Sequence, residues 1–103
     1  MNEFFILKSL KTLLIDDNVI VRDTMQMIFA QKECLIKACE TAEEGLQALE
    51  EEWFDIIISD LQLPGIDGVE FFKRVMRSQP DTVRILISGY GNQRAVSEAF
   101  EIG

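Results

Sequence analysis

Apolar and polar positions along the chain follow two alternating rhythms. Short apolar runs recur at Thr12-Leu13-Leu14-Ile15, Leu35-Ile36-Lys37-Ala38, Ile56-Ile57-Ile58-Ser59 and Val83-Arg84-Ile85-Leu86-Ile87-Ser88. Each is too brief for a helix and reads as a strand. The three consecutive isoleucines suit a strand buried on both faces, whereas the less apolar 35–38 run suits a sheet edge. Between the runs the spacing lengthens to that of a helix. Val21, Met25, Ile28 and Phe29 form one stripe, with Arg22, Asp23 and Gln26 on the other side. Thr41 and Glu44 make a capping box that opens a second helix, with Ala42, Leu46 and Leu49 inward and its end before Trp53-Phe54. Val69, Phe72, Val75 and Met76 mark a third helix, stopped by Pro80, with Phe71 a half-exposed aromatic off the buried stripe. After the loop Gly89-Tyr90-Gly91-Asn92, Ala95, Val96, Ala99 and Phe100 give a fourth helix its apolar face.

The order β-α-β-α-β-α-β-α predicts an α/β fold with parallel strands, right-handed crossovers and helices on both faces. In a doubly wound parallel sheet, functional groups collect at the carboxyl ends of the strands, near the point where strand order reverses. The first run ends on Asp16-Asp17, the third on Asp60 and the fourth on Ser88. Pro64-Gly65 and Asp67-Gly68 turn signals follow Asp60. The topology therefore gathers these residues into one constellation.

Three carboxylates so placed have few options. At ~4 Å and an effective dielectric near 20, each like-charged pair repels by about 4 kcal/mol. The cluster either raises a carboxylate pKa or holds a hard cation. Carboxylate and carbonyl oxygens suit Mg²⁺, and Mn²⁺ takes the same ligands. A carboxylate left free beside such an ion is suited to attack phosphorus, with the Ser88 hydroxyl donating to a phosphoryl oxygen. The plainer alternatives are that Asp16-Asp17 only favour a helix start, and that Asp60 and Ser88 are ordinary turn and loop residues.

Composition narrows the choice further. The 103 residues make one domain, and 18 acids against 10 bases give a net charge of -8. That balance argues against direct binding to nucleic acid or an anionic membrane. The chain has no histidine, which excludes histidine-based catalysis and ligation. Cys34 and Cys39 flank a strand, ~16 Å apart in extended chain, beyond disulfide reach, and are expected to be buried or half-buried thiols in a reducing compartment. Phe4-Phe5-Ile6-Leu7 is too short for a secretory segment, no run reaches transmembrane length, and the expected location is the cytoplasm.

The acidic pair Asp16-Asp17, the stretch Ser59-Asp60-Leu61-Gln62-Leu63-Pro64-Gly65-Ile66-Asp67-Gly68 and the pair Ser88-Gly89 together closely resemble the receiver domain of two-component response regulators. The resemblance implies a flavodoxin-like sheet of strand order 2-1-3-4. It implies that Asp60 accepts a phosphoryl group from the phosphohistidine of a sensor histidine kinase or a phosphotransfer protein. It further implies that Asp17, Asp60 and the backbone carbonyl of Gln62 ligate Mg²⁺, with Asp16 acting mainly through water, and that Ser88 is the switch hydroxyl. A domain of this kind is not an enzyme beyond its own Mg²⁺-assisted phosphorylation and dephosphorylation.

The chain departs from the family at its end, since Gly89 to Gly103 contains no lysine and no further strand. The expectation is an arm at 1–10 and, at 11–103, a receiver lacking its fifth strand and fifth helix. An edge strand left at 83–88 invites pairing. Re-exposing three or four large side chains at ~1.5–3 kcal/mol each approaches the whole stability of a domain, about 5–15 kcal/mol. A homo-oligomer through the fourth strand and fourth helix is therefore expected. Two rival readings stand beside the phosphoacceptor. One is a non-switching dimerisation or interaction module. The other is an aspartyl phosphohydrolase, disfavoured because Gln62 occupies the position where a second-step acid or base would stand.

Overall fold

The computed structural model describes residues 10–60, 63, 65–66 and 68–87. Residues 1–9 of the expected arm, Gln62, Ser88, Tyr90 and the expected fourth helix lie outside the described residues. The elements run β1 (Lys11–Ile15), α1 (Val19–Gln31), β2 (Leu35–Cys39), α2 (Ala42–Glu51), β3 (Ile56–Asp60), α3 (Gly68–Ser78) and β4 (Val83–Ile87). The apolar runs thus became strands within a residue of their expected bounds.

The strands form one parallel sheet in the order β2-β1-β3-β4. From β1 the chain steps one way to β2, then back across β1 to β3, then onward to β4. With every crossover right-handed, that reversal puts α1 on one face and α2 and α3 on the other. It also opens the switch point between β1 and β3.

Polar caps set the helix starts. The Asn18 side chain accepts the Ile20 N–H at 2.9 Å ahead of α1. Thr41 Oγ1 accepts the Glu44 N–H at 3.1 Å ahead of α2. The second half of the expected capping box is displaced by one residue, because Glu44 Oε2 reaches back to the Glu40 N–H at 3.3 Å.

The core lies between the sheet and the α2/α3 layer. Leu13, Ile15 and Ile57 meet Ala42 and Ala48 of α2, Phe71, Phe72 and Val75 of α3, and Phe54. Gly45 lets α2 approach closely, since a Cβ there would lie 2.6 Å from Ile15 Cδ1 and 3.3 Å from Phe71 Cε1. Phe71 is 0% exposed and meets Phe72 edge-on at 5.7 Å, so the expected half-exposed aromatic is a core residue. Met76 is the exposed one. On this helix Phe71, Phe72 and Val75 fill the wedge against α2, and Met76 turns past it.

The other face is thinner. Ile57 is buried, but Ile56 and Ile58 are half-buried, which corrects the expectation of a strand covered on both sides. Among the described residues α1 is the helix on that side, and none of its residues is fully buried. Val21, Met25 and Phe29 are half-buried, whereas Ile28 of the expected stripe is exposed.

At the amino ends of the strands Asp55 joins three of them. Its carboxylate accepts the Lys11 N–H at 2.9 Å and the Trp53 Nε1–H at 3.2 Å. Its own N–H donates to the Lys11 carbonyl at 2.9 Å, and its carbonyl accepts the Val83 N–H at 3.1 Å. Lys11 also pairs with Glu52 and lies over the Phe54 ring.

Candidate functional site

The opposite rim carries the acids. The Asp16 N–H extends the β1–β2 ladder by donating to the Cys39 carbonyl at 3.1 Å. Asp16 Oδ1 accepts the Asn18 N–H at 2.9 Å, and the Arg22 guanidinium donates to the Asp16 carbonyl at 2.9 Å. Asp17 follows on the exposed side of the turn into α1. Asp60 is the last residue of β3, half-buried, and its carbonyl accepts from the buried Ser59 hydroxyl at 3.0 Å. Carboxylate oxygens of Asp16, Asp17 and Asp60 all lie within 4.8 Å of one another.

Asp16 is only 3% exposed. Burial holds its pKa above the ordinary 3.8, helped by the neighbouring Asp60 and Asp17 charges and opposed by the Asn18 amide and by Arg22. The arrangement is thus under electrostatic stress, and a hard divalent cation is what relieves it. Three carboxylates converging from two strand ends, one of them desolvated, fit such an ion by donor chemistry and by spacing. Carbonyl or water oxygens complete the shell that hard cations require.

The structure therefore brings Asp16, Asp17 and Asp60 together. Gln62 and Ser88 lie outside the described residues, although the register sets Asp60 beside Ile87, the residue before Ser88. Sequence patterning missed two contributors. Arg22 was assigned to the polar side of α1, yet its guanidinium folds back over the end of β1. Glu43 of α2 accepts the Ile66 N–H at 3.0 Å, 23 residues away, and no local pattern announces such a bond. Cys34 and Cys39 are buried free thiols, as expected, and burial pushes the Cys39 thiol pKa up.

Fold and rim define a class: a doubly wound α/β domain with an acidic cluster at the switch point. The family model described as the response regulator receiver domain matches residues 12–103, and the chain belongs to that family. It is 31% identical over 90 residues to the C4-dicarboxylate transport transcriptional regulatory protein DctD of Rhizobium meliloti, covering 87% of this chain and 20% of that protein. The chain thus spans about a fifth of that relative's length. A CheY-like response regulator receiver domain protein from Methanospirillum hungatei superposes with a TM-score of 0.84 at 27% identity, over 91% of this chain and 76% of that one. A receiver domain titled BeF3 Activated DrrB gives 0.79 at 26%, over 91% and 78%. Among the described residues no helix is long and apolar enough to cross a membrane.

Proposed function

We propose that the domain is a phosphoacceptor module in two-component signalling, with Asp60 as the acceptor. The observation that carries this reading is the convergence of Asp16, Asp17 and Asp60 oxygens within 4.8 Å at the sheet's switch point. A carboxylate oxygen of Asp60 forms the new O–P bond. The P–N bond of a donor phosphohistidine breaks, its electron pair stays on the imidazole nitrogen, and that nitrogen takes up a proton. Asp17 and Asp60, with the Gln62 carbonyl, would hold Mg²⁺ or Mn²⁺, Asp16 acting through water. When bound, the ion offsets the negative charge of the phosphoryl oxygens. Ser88 donates a hydrogen bond to one of those oxygens. Residues 11–103 form the working domain and 1–10 an arm. Its partner is a sensor histidine kinase or phosphotransfer protein in the cytoplasm, and it turns over no external substrate.

Intact-mass measurement after incubation with Mg²⁺ and a small phosphodonor tests this directly. Wild type gains one phosphoryl group, and Asp60→Asn gains none. Modification of both proteins alike, or of neither, overturns the assignment.

A second reading has its own support. Val83 and Ile85 of β4 are 57% and 45% exposed, and among the described residues β4 pairs only with β3. An apolar edge of that kind favours association with another copy, with or without phosphorylation. Light scattering decides it: a monomer at micromolar concentration ends the proposal of a homo-oligomer through β4.

A further inference from the structure

Eight residues separate Asp60 from the second residue of α3, and this loop must leave the site along a fixed path if the acceptor is to be held in one geometry. Its middle is tied down from outside. Glu43 stands in the first turn of α2, where the helix dipole favours an anion, and its Oε1 accepts the Ile66 N–H at 3.0 Å. The adjacent Gly65 adopts φ +76°, a left-handed conformation suited to glycine, and a Cβ there would lie 2.7 Å from the same oxygen. The carboxylate is therefore seated against the bare backbone of the turn. Its pKa is lowered, first by the Ile66 amide and then by its own N–H and the Thr41 hydroxyl, so the carboxylate that accepts the loop amide is charged at neutral pH. Arg74 of α3 adds an attraction from beyond the loop.

We infer that Glu43 is a positioning residue for phosphotransfer: it clamps the β3–α3 loop to α2 and so preorganises Asp60 and the segment leading from it. This rests on the reading of Asp60 as phosphoacceptor. The tie divides one long free segment into two shorter ones, which lowers the conformational freedom of the residues that leave the site. Glu43 touches neither the acidic cluster nor the reacting atoms. Its contribution lies in the loop's geometry, and preorganisation of that kind is what a reacting carboxylate needs.

The test compares Glu43→Ala, which removes the acceptor, with Glu43→Gln, which keeps an oxygen for the Ile66 N–H but drops the charge. Two readouts are taken on the intact chain: the rate of Asp60 phosphorylation by a small phosphodonor at limiting Mg²⁺, and hydrogen exchange of the Ile66 amide. Expected is a roughly three- to tenfold slower phosphorylation and faster exchange in Glu43→Ala, with Glu43→Gln close to wild type in both. Glu43→Ala should also melt somewhat lower, because it loses the bond to the Ile66 amide. The rates are therefore compared well below the melt, where both variants are fully folded and a merely structural role would leave phosphorylation at the wild-type rate. A wild-type rate in Glu43→Ala, or equal damage in Glu43→Gln, overturns the clamp while leaving the phosphoacceptor intact. If wild type takes no phosphoryl group, the phosphoacceptor reading fails and the positioning role goes with it. The exchange rates then still show whether the restraint on Ile66 exists.

Discussion

Replacing Asp16 by Asn is expected to make the metal-free protein more stable, although it damages the site. Carboxylate oxygens no more than 4.8 Å apart repel by about 3.5 kcal/mol per pair at an effective dielectric near 20. Asp16 takes part in two such pairs. Asp17 is exposed, Arg22 lies close by, and salt screens over about 8 Å at physiological ionic strength, so the net relief is put at about 1–2 kcal/mol. Asparagine keeps the oxygen that accepts the Asn18 N–H and presents an amide donor to the remaining carboxylates. For a domain of this length the gain corresponds to a melting temperature raised by roughly 5–10 °C. Thermal unfolding followed by circular dichroism in EDTA measures it. Millimolar Mg²⁺ should then narrow or reverse the gap, because the ion stabilises the wild-type cluster more than the variant.

The pH dependence supplies the sign. With its folded pKa raised, Asp16 in the native state keeps a proton that the unfolded chain has already released above pH 3.8. The native state then binds more protons, so stability falls as pH rises through that interval. The advantage of Asp16→Asn should be small below pH 3.8, open as pH climbs from there towards the raised folded pKa, and level off above it. Glu43 and Glu52 act in the opposite sense, their lowered pKa values giving stability that is lost as pH falls below 4.5, equally in both proteins. A natively folded Asp16→Asn that melts at or below wild type in EDTA at neutral pH would refute the picture of a strained cluster.

Two further outcomes follow from packing. Phe71→Ala removes a fully buried ring between α2 and α3 and should cost about 3–5 kcal/mol, enough to abolish a cooperative melt in a domain of marginal stability; an unchanged denaturant midpoint would contradict the core assignment. Gly45→Val places methyl groups where Ile15 and Phe71 already sit and should cost about 1–3 kcal/mol by overpacking, read as a lower urea midpoint at constant m-value.

The strands are legible from short-range signals, apolar runs ending in acids, and the meeting of Asp16, Asp17 and Asp60 follows once the sheet is doubly wound. The strand order comes from the family resemblance, because the handedness rule alone does not set it. The misreadings arose where tertiary packing decides. Phe71 and Met76 lie about 140° apart on α3, on opposite flanks of the Val75–Phe72 stripe, and only the position of α2 determines which flank is covered. Ile56 and Ile58 are as apolar as Ile57, but their burial depends on how much of the second face α1 spans. Glu43 was invisible for a different reason. Its partner is a backbone amide, so no side chain in the sequence marks the bond.

The chain has a single indole, Trp53, held by Asp55 at the rim where the strands begin. Five-residue strands put that rim about 16 Å from the acids. Intrinsic fluorescence is thus a reporter of whether the roots of the sheet are intact, and should pass through a titration with magnesium almost unmoved. Optical work on ion binding calls for a chromophore installed at the far end. A Trp53 signal that did follow the metal would mean that the sheet transmits a change along its whole length.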